Sequence, residues 1–71
     1  MSFNYAKLRG RIIEMYGTQR EFAKEVGMKN ETLSRKMTGK AYFRQDEIYK
    51  IASLLGIGTE QLDNYFFCKQ N

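Results

Sequence analysis

Histidine and proline are absent from this 71-residue chain, and cysteine occurs once, as Cys68. Without histidine or a cysteine cluster, the usual ligands of a zinc or iron centre are missing, so neither a metal nor another cofactor is expected. A lone cysteine makes no internal disulfide, which fits a reducing, intracellular setting. Its thiol reads as incidental, and the rival reading is an intermolecular disulfide in oxidised preparations. No glycine-rich loop precedes a lysine at the spacing that cradles phosphate. Asp46 and Glu47 are adjacent in sequence, which points them to different sides of a helix and spoils them as a catalytic pair. Catalysis is therefore not expected. No run of about eighteen apolar residues exists, and no charged-then-apolar leader opens the chain. A soluble protein with no membrane partner is expected. Neither proline nor a low-complexity stretch marks a linker, so residues 1–71 read as one small domain, whose modest core calls for well-packed helices, a staple or a partner.

The charge that is present is uneven. Residues 1–44 carry ten Lys or Arg against four acids, and residues 45–71 carry two against four, for a net charge of +4. A basic first half suits a polyanion, and the remainder suits a face turned away from it. Many small domains carry such a charge and bind no nucleic acid, so charge alone decides nothing.

Strand signals are poor, since alternating apolar and polar runs are hard to find. Helical spacing is clear in five places. Tyr5, Leu8, Ile12 and Met15 share a stripe on a first helix of residues 5–16, which Asn4 can cap and onto which Phe3 can staple through Leu8. Gly10 inside it costs about 1 kcal/mol against alanine, so either a neighbour approaches closely there or the cost is tolerated. Thr18 to Glu21 has the spacing of a capping box. A third helix starts at Lys29 or Asn30, the cap being undecided, and leaves through Thr38 and Gly39. Tyr42 and Phe43 are expected to pin the next connection on the core. Ile48, Ile51, Ala52 and Leu55 define a fourth helix ending at Gly56, with Arg44 standing where a capping side chain would help. Leu62, Tyr65 and Phe66 line a short fifth from Thr59, and 68–71 is expected to fray. The fold class is all-α, a compact bundle of five short helices.

The stretch from Gln19 to Thr38 organises this bundle. Phe22 and Val26 lie one turn apart before Gly27, and Leu33 and Met37 lie one turn apart after it. Ala23 is small enough for a crossing helix to come close, and glycine suits a sharp turn between helices. Two short helices crossed through such a turn describe a helix-turn-helix, which lays its second helix in the DNA major groove.

Gln19, Ala23, Gly27 and Leu33 stand at offsets typical of the phage repressor and Cro helix-turn-helix domains, the lambda-repressor-like group, which this stretch resembles. Thr32 to Lys40 (TLSRKMTGK), Asp46 to Ile48 and the closing Tyr65-Phe66-Phe67 look like the short Cro-type regulators of phages of Gram-positive bacteria. The resemblance covers nearly the whole chain. It implies a sequence-specific DNA-binding transcriptional regulator of the repressor or Cro type, acting in the bacterial cytoplasm as a weak homodimer on a two-fold operator. With no residues left for a second domain, the Cro-like form is favoured. Lys36 departs from the family pattern, which usually has an apolar residue there, and Met37 takes over the packing. Gly58 likewise replaces a hydroxyl residue often found at the start of the last helix.

With Leu33 and Met37 inward, Asn30, Glu31, Ser34 and Arg35 point outward and form the expected base-reading set. Arg35 can fork onto guanine, Asn30 can pair at two points with adenine, and Glu31 can accept from cytosine or simply favour the helix start. By resemblance, Asn30, Glu31 and Arg35 match positions that touch bases, and Gln19 matches a glutamine that binds backbone phosphate. Arg20, Lys29, Lys36, Thr38, Lys40, Tyr42 and Arg44 complete the expected phosphate contacts. Tyr65, Phe66 and Phe67 are the expected dimer contact, or else they complete the monomer core. A second reading belongs to another class: a modulator that holds a partner repressor and touches DNA only through it, or an antitoxin.

Overall fold

A computed structural model describes residues 3–67. Among them the elements are α1 (Ala6–Tyr16), α2 (Gln19–Val26), α3 (Asn30–Met37), α4 (Gln45–Leu55), one 3₁₀ turn (Thr59–Gln61) and α5 (Leu62–Phe66). The all-α expectation holds. The last helix is shorter than its spacing suggests, because its first turn takes the tighter 3₁₀ form. What was expected of Cys68 to Asn71 lies outside the described residues. No helix described is long and apolar enough to cross a membrane.

The helix ends follow from local chemistry. The Asn4 side chain accepts from the Ala6 amide at 2.8 Å, at the head of α1. Thr18 caps α2 by accepting from the Glu21 amide at 3.1 Å, while the Glu21 carboxylate turns to Lys24 rather than back to the threonine. Lys29 precedes α3 with no side-chain cap. Gly27 has φ 87° and ψ 28°, the left-handed conformation that lets the Met28 amide reach back to the Ala23 carbonyl at 3.0 Å. That bond closes α2 and turns the chain sharply into α3.

Leu8, Ile12, Phe22, Ala23, Val26, Leu33, Met37, Ile51, Ala52, Leu55, Ile57 and Phe66 form one core. Two expectations fail at its edge. Met15 is 46% exposed, and Tyr16 takes the inner place. The four-residue step from Leu8 to Ile12 continues to Tyr16, whose ring packs on Phe22 with centroids 4.9 Å apart. Its hydroxyl donates to the Leu54 carbonyl at 3.3 Å, which fixes the rotation of α1 and leaves Met15 outside. Tyr42 is 90% exposed, not pinned on the core, and Phe43 alone turns inward, edge-on to Tyr5 and Phe66. Burial of Tyr5 raises its phenol above the ordinary value.

Gly10 is resolved in favour of tolerance. Nothing lies within 4 Å of where its Cβ would stand, and the residue is exposed in mid-helix. Gly10→Ala should therefore stabilise the protein by about 1 kcal/mol, raising the midpoint of a thermal melt by about 4–8 °C. An unchanged or lower midpoint would show that α1 is not continuous there.

Candidate functional site

The surface of α2 and α3 is built on the core residues beneath it. Leu33 and Met37 anchor α3 from below, leaving Glu31 and Arg35 exposed and Asn30 and Ser34 half-buried. The Gln19 amide donates to Asn30 Oδ1 at 3.1 Å and to the Ser34 hydroxyl at 2.7 Å. Three residues expected to meet DNA are thus joined to one another across the two helices. Gln19 has spent both amide protons on α3. Asn30 keeps its own amide protons, but the oxygen it would offer to adenine is already shared.

Lys36 is a correction. Expected at a phosphate, it is 7% exposed and ion-paired with Glu47 from α4. Its aliphatic stem fills the place where an apolar residue would sit, and its ammonium reaches the carboxylate beyond. The Glu47 carboxylate also accepts from the Arg44 backbone amide at 2.8 Å, capping α4 in place of the arginine side chain. Burial on its own would raise the Glu47 carboxyl. The donors Lys36 and Arg44 and their charges outweigh it and hold the group below the ordinary carboxylate value.

Thr38 is a second correction, because its hydroxyl turns back to the Ser34 and Arg35 carbonyls at 2.9 and 3.3 Å and has no proton left for a phosphate. Arg44 is exposed but pairs with Asp46 at 3.2 Å, so a phosphate there has a carboxylate to displace. Arg20, Lys29, Arg35 and Lys40 are exposed, and among the described residues none of them pairs with a carboxylate. Of the expected dimer contact, Phe66 is 1% exposed and belongs to the core. Tyr65 is half-buried beneath the Lys7 ammonium, 5.2 Å from its ring, and Phe67 lies edge-on to Phe3 at 5.8 Å with 44% of its surface open. Among the described residues, no three of His, Cys, Asp and Glu stand close enough together to hold a metal ion.

Sequence reasoning missed Arg11. Its Nε donates to the Leu55 carbonyl at 3.1 Å, satisfying the end of α4 from a helix 44 residues away. No local pattern signals so distant a partner.

A protein-family model described as "Protein of unknown function (DUF739)" matches residues 1–69. The chain belongs to the DUF739 family. As a DUF739 protein it is also similar to a solved structure, the modulator of repression (MOR) of the temperate bacteriophage TP901-1 from Lactococcus lactis. The two are 37% identical with a TM-score of 0.82, over 94% of this chain and 90% of that one. No curated protein sequence matches this DUF739 chain.

Proposed function

We propose that this chain modulates a phage repressor by binding the repressor protein, and that it meets operator DNA chiefly through that partner. The observation that carries the reading is the likeness to a modulator of repression over nearly the full length of both chains. The site is compatible with it. A stand-alone DNA reader needs free donors and acceptors along α3. Here Gln19, Asn30 and Ser34 are engaged with each other, Thr38 with its own helix, and Lys36 with Glu47.

The test uses purified chain, the repressor encoded with it, and duplexes carrying the neighbouring operator or random sequence. The chain alone should bind both duplexes weakly and equally, with affinity falling as salt rises. Added to the repressor, it should change the repressor's operator affinity at least tenfold. A chain that prefers operator DNA and leaves the repressor's affinity untouched would sink the proposal.

The second reading, a Cro-like regulator that reads DNA itself, is favoured by the exposed Arg35 beside Asn30, Glu31 and Ser34 on the outer face of α3. Under that reading Arg35→Ala removes about 1–3 kcal/mol of preference for operator over random duplex and keeps much of the non-specific binding. Uniform weakening on every sequence would make Arg35 a phosphate anchor instead.

A further inference from the structure

A groove of about 340 Å³ runs between α2 and the start of α3, reaching Asn30, which the Gln19 amide holds from the other side. Buried Ala23 and half-buried Met28 form its apolar floor. Arg20 and Lys24 stand one turn apart along one wall, and Lys29 stands on the turn. Lys50 of α4 brings a further cation to the same turn, its Nζ lying 3.8 Å from where a Cβ on Gly27 would be. Among the described residues, Arg20, Lys29 and Lys50 pair with no carboxylate. Lys24 is held by Glu21 at 3.4 Å, and the three cations left unpaired around an apolar floor match an apolar side chain entering between carboxylates.

We propose that this groove docks an acidic amphipathic helix of the partner repressor. The inference rests on the modulator reading above. Carboxylates on such a helix meet the unpaired Arg20 and Lys29, and the apolar residue between them lands on Met28, whose flexible thioether repacks around varied shapes. Phosphates and carboxylates answer to the same cations, so it is the apolar floor of Ala23 and Met28 that favours a protein side chain over nucleic acid here.

Arg20→Glu combined with Lys29→Glu reverses two exposed, unpaired charges and leaves the core untouched. Calorimetry of full-length chain with the repressor encoded with it should show the double variant binding about 30-fold or more weaker than wild type, with its circular dichroism unchanged. Amide shifts of Ala23 and Met28 in isotope-labelled wild-type chain should move on adding the repressor. A repressor that binds wild type and double variant within twofold of each other overturns the groove and leaves the modulator reading standing. A repressor that binds neither overturns both. Random duplex DNA that competes the repressor off while shifting the same two amides would assign the groove to nucleic acid and overturn the proposal.

Discussion

Lys36→Met should lower the unfolding free energy by about 3 kcal/mol, and adding Glu47→Leu should restore most of that loss. The single change leaves the Glu47 carboxylate largely enclosed with its countercharge gone, holding only the Arg44 amide. The double change removes both charges and fills the space with apolar atoms, which recovers the desolvation that the ion pair spends. A domain of this size is stabilised by about 0.05–0.15 kcal/mol per residue, so the single loss is about a quarter of the total or more. Urea titration checks it through the midpoint, with an unchanged slope showing that the compactness of the unfolded chain has not shifted. Equal midpoints for wild type and Lys36→Met would mean that the pair does not persist in solution. The same pair sets an acid limit. The folded-state pKa of Glu47 is depressed, so its contribution is present above the unfolded value of 4.5 and drains away as pH falls through the lower folded value. Glu47→Gln should be the less stable protein at neutral pH, and its deficit should shrink as pH falls below the unfolded value of 4.5 and through the lower folded one.

Phe66→Ala should cost about 3–5 kcal/mol and lower the melting midpoint by more than about 10 °C, whereas Phe67→Ala should cost less than about 1 kcal/mol. The two rings are neighbours in sequence with opposite surroundings. Phe66 is enclosed and meets Phe43 edge-on, centroids 5.5 Å apart and planes at 87°. Phe67 is nearly half open, against Phe3. Deleting the first leaves a cavity that the short α5 cannot close over, since five residues hold few other anchors. Sedimentation of the Phe67→Ala variant separates the remaining possibility. A shift from dimer to monomer at preserved stability would give that ring the role that burial denies to Phe66.

The bundle was legible in the sequence where periodicity and turn chemistry agree. Phe22 and Val26 before a glycine, with Leu33 and Met37 after it, place α2 and α3 to within a residue. Thr18 announces its cap for the same reason, since the donor it satisfies is three residues away. Legibility ends where a side chain answers to a distant one. The three-residue step from Ile12 puts Met15 inside, but the bond from Tyr16 to α4 turns the helix the other way. An exposed phosphate contact is a fair expectation for a lysine on a short helix, until a glutamate eleven residues on draws Lys36 under the surface. For the site, residue types named the outward face of α3 but not the bonds among Gln19, Asn30 and Ser34. The groove beside it went unseen because Lys24 and Met28 each read alone as solvated charge and packing.

The clasp of Gln19 on Asn30 and Ser34 also bears on what happens at first touch. Long amide side chains are normally free to rotate and must be frozen when something lands on them, at a cost of about 0.5–1.5 kcal/mol each. These are already settled before any visitor arrives. Whatever meets this face therefore finds a stiff platform, and the entropy of organising it was spent when the chain folded.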